Sequence, residues 1–282
     1  MNGKSITKAS GEHEAFQQAK LINSLVRVGA PHDIALEIAE EVYRQMPSGA
    51  HTRQIFKLAK RLLRKYNRVS GMRYSLKRAI YSLGPSGFPF ERFFAKILQS
   101  YGYQSSTNII VRGFCISHEV DIIASDSIGK HMIECKYHND PGKKTDVKVA
   151  MYVHARFQDI KKAYDLAPEN NGLFRQGWLV TNTRCSGDAI AFAECSGLKL
   201  VSWRYPEKQQ SLERLIEDKK LYPVTVLQFA ERHTLDMCIA NDIILVQDIA
   251  FADSREIAER LHVSEQITQS LKKQAAELIG RD

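Results

Sequence analysis

The stretch HEVDIIASDSIGKHMIECKYHND, residues 118–140, decides the fold. Two apolar runs flank Ser125-Asp126-Ser127-Ile128-Gly129, a turn sequence, so the segment reads as a β-hairpin. Side chains alternate between faces along a strand. In residues 131–137, Met132, Glu134 and Lys136 share one face and Ile133, Cys135 and Tyr137 the other; in residues 119–124, Glu119, Asp121 and Ile123 lie together. If Ala124 pairs with His131, Asp121 stands opposite Glu134, with side chains roughly 5 Å apart. Two carboxylates so placed repel, and a hard divalent ion that takes oxygen ligands, such as Mg²⁺, is the natural cation to lie between them. Lys136 leans over the same spot. A salt-bridged solvent face of an ordinary hairpin would present the same three residues, so the hairpin alone leaves both readings open.

The chain has 282 residues, long enough for two or three domains, each with its own core. No apolar run reaches membrane-spanning length, and the polar start MNGKSITKASGE has no signal-peptide stretch. A cytoplasmic protein with no membrane partner is expected. Cysteines 115, 135, 185, 195 and 238 are odd in number and show no C-x-x-C spacing, which argues against a disulfide framework and a zinc ribbon. The net charge of +8 is unevenly spread: residues 1–90 hold 15 Lys and Arg against 6 Asp and Glu. Within them, HTRQIFKLAKRLLRKYNRVSGMRYSLKRAI (51–80) carries ten cations and no acid, which favours a polyanion neighbour, nucleic acid first and a nucleoside triphosphate second.

Hydrophobic period and turn residues divide the rest. Ser5–Lys8 reads as a short strand followed by a turn, then helices at about 16–28, 33–46, 51–67 and 71–83. FERFFAKILQSYGY (90–103) is an amphipathic helix with Glu91 beside its apolar stripe. Strands follow at about 107–113, 118–124 and 131–138, then a helix at 145–165, a strand at 177–182, a helix at 186–196 and a strand at 198–203. From about 211 the pattern is helical throughout. The expected architecture is α/β: a mostly helical N-terminal domain (1–84), a central mixed sheet covered by helices (85–206) in the order α-β-β-β-α-β-α-β, and a helical C-terminal region (207–282) suited to packing, DNA contact or a homodimer.

That order, with Phe90-Glu91 on the first helix, Asp121 and Glu134-Cys135-Lys136 on the hairpin, and GWLVTNTRCSGDAIAFAECSGLKLVSW after it, resembles the Mrr-like branch of the PD-(D/E)xK nuclease superfamily over residues 85–206. The resemblance implies Mg²⁺-dependent hydrolysis of DNA phosphodiester bonds, of restriction or repair type. By the same resemblance Asp121 and Glu134 bind Mg²⁺ with the Cys135 carbonyl as a further ligand, Lys136 orients the attacking water or stabilises transition-state charge, and Glu91 matches an acidic residue that many members carry on the first helix. His118 and His138 flank the trio and stand as phosphate or proton-relay candidates; Lys143, Lys144 and Arg156 are candidates for the DNA track.

Ile6-x-Lys8-x-x-Gly11, followed by Phe16, Lys20, Leu21, Leu25 and Ala30 and three helices, resembles the ATP-cone, a regulatory nucleotide-binding module. It implies ATP held by Lys8 and Lys20, with the Ser10-Gly11 turn bringing backbone N–H groups to the phosphates. No G-x-x-x-x-G-K-[ST] loop is present, so ATP would regulate the chain and not drive it. The competing functions are a non-catalytic DNA-binding protein on the nuclease fold and a nucleotide-sensing regulator; the intact trio favours the enzyme.

Overall fold

The computed structural model describes residues 3–8, 11–167, 173–207, 210–228 and 230–281. At the N-terminus β1 (Ser5–Thr7) pairs antiparallel with β2 (His13–Ala15) and parallel with β3 (Ala50–His51). The two partner strands were not expected: His-Glu-Ala and Ala-His are too short and too polar to show a period of two. Three helices cover this small sheet, α1 (Gln18–Arg27), α2 (His32–Gln45) and α3 (Thr52–Tyr66). Their apolar stripes close a core around Ile6, Leu25, Ile38, Val42, Ala59 and Leu63. Lys4 ties the sheet to the end of α2 by donating to the Met46 carbonyl at 2.7 Å, where helix carbonyls lack partners.

The expected helix at 71–83 is two helices, α4 (Arg68–Arg73) and α5 (Leu76–Tyr81). Asn67 starts α4 by accepting the Ser70 N–H at 2.8 Å, and the chain turns again at Tyr74-Ser75.

The central sheet follows the expected order. After α6 (Phe88–Ser100) come β4 (Gln104–Arg112), β5 (Ser117–Asp126), β6 (Gly129–Lys136), a two-residue β7 (Lys144–Thr145), α7 (Val147–Asp165), β8 (Phe174–Thr181), a two-residue β9 (Arg184–Cys185), α8 (Gly187–Ser196) and β10 (Lys199–Val201). The strands lie in the order β10-β8-β6-β5-β4. The first three are antiparallel neighbours, and β8 and β10 add on in parallel through the α7 and α8 crossovers. The β7–β9 pair, parallel and separate, was not foreseen, being too short to leave a pattern.

Each face of the sheet is covered. Against one lie α7 and α8, with Val120, Met132, Val153, Phe157 and Leu179 between them. Against the other lie α6 and the C-terminal helices, around Phe93, Ile97, Ile122, Ile133 and Trp178. Those helices are α9 (Leu212–Asp218), α10 (Arg232–Ala240), α11 (Val246–Phe251), α12 (Ser254–Leu261) and α13 (Glu265–Ile279), with a 3₁₀ turn at Val224–Val226. Leu212, Ile244, Ile257 and Leu271 share one core with α5 and α6, so the C-terminal region is part of the body that holds the sheet.

One detail of β5 departs from simple alternation. Val120 and Ile123 face α7, whereas Ile122 and Ala124 face α6, so the strand exchanges faces at Asp121. The β4–β5 register pairs Thr107 with Ile122 and Ile109 with Val120, and between them Asn108 takes a left-handed conformation at φ 56°, one that asparagine tolerates better than most residues. Glu119, Asp121 and Ile123 therefore do not form the continuous face that a period of two predicts.

Candidate functional site

The hairpin register is the expected one, with Ala124 opposite His131 and Ile122 opposite Ile133. There the β5–β6 ladder stops, one residue short of the Asp121–Glu134 pair. β6 continues alone on that side while remaining paired with β8 as far as Lys136 opposite Thr181. The strands thus fork, and the Asp121 carboxylate fills the gap by accepting the Cys135 N–H at 2.7 Å. An acid that takes a backbone donor at the end of a ladder is held in place without its neighbours having to close over it.

On β6 the faces are as read from the sequence: Met132 packs toward α7, and Ile133 and Cys135 pack toward α6. Burial pushes the Cys135 thiol well above its ordinary range, so its side chain is inert filler. Glu134 points toward α7 and meets Arg156, whose Nη1 lies 2.6 Å from Oε2. The other Arg156 nitrogen donates to the Glu119 carbonyl. Lys136 lies exposed at the end of the strand.

Three carboxyls gather here. Burial, then the charges of Asp121, Glu134 and Glu119, push Glu91 of α6 up to about 7. Burial and the Asp121 charge push Glu134 up to about 7 against the pull of Arg156. Asp121 is also raised, by burial, although the Cys135 N–H holds it down in part. Burial first, and the neighbouring carboxyls second, therefore penalise ionising Glu91 and Glu134 beside Asp121 in the absence of a cation. Among the described residues no three His, Cys, Asp or Glu side chains are set to hold a metal by themselves. A hard cation that binds through one or two carboxylates and keeps water or phosphate as its other ligands fits Asp121, Glu134 and the Cys135 carbonyl, and would relieve that penalty.

Other candidates fall elsewhere. His118 is turned to Asp159 of α7, with Nε2 and Oδ2 2.8 Å apart, and Asp159 also accepts the Cys115 N–H at 2.8 Å. These hydrogen bonds, the one from His118 foremost, hold Asp159 below the usual carboxylate range and clamp the β4–β5 loop to α7. His118 is a structural clamp on the α7 face with Val120, where its ring is spent on Asp159. His138 is fixed by its N–H to Asn182 at 2.9 Å and by a ring contact of 3.0 Å to the Thr145 hydroxyl. Burial, with Lys136 and Lys143 nearby, pushes it down.

Arg156, read as a DNA-track residue, is instead buried against Glu134. The signal for it was present: α7 buries Ala150, Val153, Phe157 and Ile160, and Arg156 sits on that stripe. A cation on the buried face of a helix needs an acid across from it.

In the N-terminal sheet, Gly11 closes the β1–β2 turn at φ 82°, its N–H donating to the Lys8 carbonyl at 3.0 Å. Ser10 lies outside the described residues. Lys8 is held by Glu14 at 2.8 Å and Glu12 at 3.1 Å, and Lys20 lies 3.9 Å from Glu14. Lys8 of the hairpin and Lys20 of α1 thus meet acids of their own chain.

No helix among the described residues is long and apolar enough to cross a membrane. Residues 84–204 match a family described as restriction endonuclease, and residues 222–279 match one described as AF1548-like, C-terminal. An uncharacterized protein of Archaeoglobus fulgidus is 38% identical over 165 residues, 58% of this chain and 88% of its own length. The crystal structure of a protein of unknown function, AF1548, is similar with a TM-score of 0.58 at 34% identity, covering 69% of this chain and 99% of that one.

Proposed function

Because the chain belongs to the AF1548-like family and carries a restriction-endonuclease domain over residues 84–204, we propose that it is a Mg²⁺-dependent DNA endonuclease of restriction or repair type whose active site is the fork between β5 and β6. The observation that carries this reading is the set of three carboxyls at the fork, two of them pushed up to about 7, beside an exposed Lys136. Asp121, Glu134 and the Cys135 carbonyl would hold Mg²⁺, which supplies charge neutralisation at a phosphate oxygen and a more acidic bound water.

The chain's own groups set the rest. The Cys135 N–H fixes Asp121. Arg156 fixes Glu134 and keeps one carboxylate edge turned to α7. Lys136, on the Glu134 face of the same strand, brings its ammonium to the scissile phosphate, where it orients the attacking water or offsets charge as the P–O bond breaks. Glu91 completes the acidic wall from α6. His118 has no part in the chemistry.

For the N-terminal domain the reading is a regulatory nucleotide site at the β1–β2 turn, with ATP on Lys8, Gly11 and Lys20. A triphosphate there has to draw Lys8 from Glu12 and Glu14. Supercoiled plasmid incubated with the protein, with Mg²⁺ or with EDTA, and with and without ATP, tests both readings. Nicked or linear product only with Mg²⁺ supports the nuclease, and plasmid left intact under all conditions refutes it. A cleavage rate indifferent to ATP removes the regulatory part.

A further inference from the structure

The C-terminal helices hold a motif that the nuclease reading leaves without a role. α12 ends at Leu261, and three residues, His262-Val263-Ser264, turn the chain into α13. His262 takes a left-handed conformation at φ 52°, a place that such turns usually give to glycine. Val263 donates its N–H to the Ala258 carbonyl at 3.1 Å and packs its side chain against the core. Ser264 then caps α13 by accepting the Ile267 N–H at 3.4 Å. Ile257 and Leu261 of α12 and Thr268 and Leu271 of α13 are buried, with the small Ala258 beside them. Two helices packed on one core and joined by so short a turn have the arrangement of helix-turn-helix units, whose second helix enters the DNA major groove.

The second observation is the outward face of α13. Gln266, Gln269, Ser270 and Lys273 are exposed, and their spacing of three, four and seven residues sets them in one stripe. The exposed faces of α7, α10 and α12 each carry an ion pair at i, i+4, whereas this stripe carries two amides and a hydroxyl. Glutamine can hydrogen-bond adenine N6 and N7 together, and serine accepts or donates to several base edges. Ile267, 42% exposed and three residues before Ser270, offers an apolar contact suited to a thymine methyl group. The far half of α13 is anchored: Gln274 accepts the Gln228 N–H at 2.8 Å, and Glu277 lies 3.5 Å from Arg68. The stripe is thus presented on a fixed helix.

Charge decides what such a unit contributes. Residues 253–281 hold five Lys and Arg against five Asp and Glu, and Glu265 at the start of α13 has Arg255 at 3.7 Å. The unit brings no net charge to a phosphate backbone. Phosphate contacts set affinity and register, and base contacts set sequence. The cationic excess of the chain lies in residues 1–90. We infer that α12 and α13 form a helix-turn-helix that reads duplex DNA, with Gln266, Gln269 and Ser270 on base edges in the major groove, and that it gives the chain a sequence preference more than it adds affinity. The inference rests on the reading of DNA as the substrate and goes beyond it by placing base recognition outside the β5–β6 fork.

Binding of the full chain, in EDTA, to a pool of short duplexes with a randomised centre tests it, the retained duplexes being sequenced and then measured one at a time. The wild type is expected to enrich a sequence. Gln266→Ala combined with Gln269→Ala, both at exposed helical positions that alanine suits, should bind the enriched duplex about fivefold or more weaker and a scrambled duplex as before. The salt dependence of affinity should not change, because no phosphate contact is removed. No enriched sequence in the wild type, or the same preference in the folded double variant, overturns the inference. Equal weakening on both duplexes with a flatter salt dependence also overturns it, since α13 would then grip phosphates only. A changed oligomeric state of the double variant in light scattering overturns it as well, and makes this face a contact between copies of the chain. Plasmid cleavage in Mg²⁺ separates the two readings: a wild type that cleaves but enriches no sequence removes the helix-turn-helix and leaves the nuclease, and one that enriches a sequence but never cleaves does the reverse.

Discussion

Replacing Arg156 by methionine keeps the aliphatic stem in its packing and removes the guanidinium. Glu134 then loses its 2.6 Å partner, and the Glu119 carbonyl loses its donor. In metal-free protein the sign follows from Glu134: its folded-state pKa of about 7 lies above the ordinary 4.5, so the stability it contributes is present below pH 4.5 and is lost as pH rises through about 7. Without Arg156 the charged form is less tolerated, the pKa rises further, and the loss grows. At pH 5.5 Glu134 is protonated in both proteins, and the substitution costs about 1 kcal/mol for the hydrogen bond to Glu119. At pH 8 the wild type is ionised while the variant takes up a proton instead, and that uptake caps the added cost at about 1.4 kcal/mol per pH unit above 7. The expected destabilisation is therefore about 1 kcal/mol at pH 5.5 and about 2.4 kcal/mol at pH 8, approaching the roughly 3–5 kcal/mol typical of a broken buried pair only at higher pH. Urea denaturation in EDTA at the two pH values measures it. Equal costs at both, within about 0.5 kcal/mol, would refute the assignment of Arg156 as the counter-charge of Glu134.

Mg²⁺ should raise the melting temperature more at pH 8 than at pH 5.5, because protons compete for the same carboxyls, and Glu134→Gln should remove most of that shift in a thermal melt. Asp159 is held low, so its contribution is present above pH 4 and is lost as pH falls through its lower native value; Asp159→Asn should melt earlier at pH 6 and lose less on acidification to pH 2, as read by circular dichroism. A methyl group on Gly177 would meet Phe157 Cβ at 2.9 Å and Leu198 at 3.2 Å, so Gly177→Ala should cost about 1–3 kcal/mol of stability by denaturant titration.

The sheet was legible because its signals are local and strong. The Ser125–Gly129 turn set the register that pairs Ala124 with His131, and the parity of β6 placed Glu134 and Lys136 on one face. What the sequence hid depends on partners far along the chain. Arg156 is one of many cations until α7 is laid over β6, and His118 belongs to Asp159, forty-one residues away. The face exchange at Asp121 needs Asn108 on the neighbouring strand in a left-handed conformation, and no pattern within β5 carries that. β2, β3, β7 and β9 are two or three residues long, too short for any period to show, and exist because tertiary packing brings backbones together. The C-terminal helices were read as helices, but that they complete the core beneath α6 follows only from Leu212, Ile244, Ile257 and Leu271 meeting Phe93 and Ile97.

The central claim is that the fork of β5 and β6 cleaves DNA, and the most direct measurement is the Mg²⁺-dependent rate of supercoiled plasmid loss for wild type beside Asp121→Asn, Glu134→Gln and Lys136→Ala, each shown to be folded by circular dichroism. The account predicts cleavage by the wild type and a fall of more than about a hundredfold in each variant, since losing a metal ligand or the cation at the reacting phosphate raises the barrier by several kcal/mol. Folded Lys136→Ala or Asp121→Asn cleaving at the wild-type rate would contradict it.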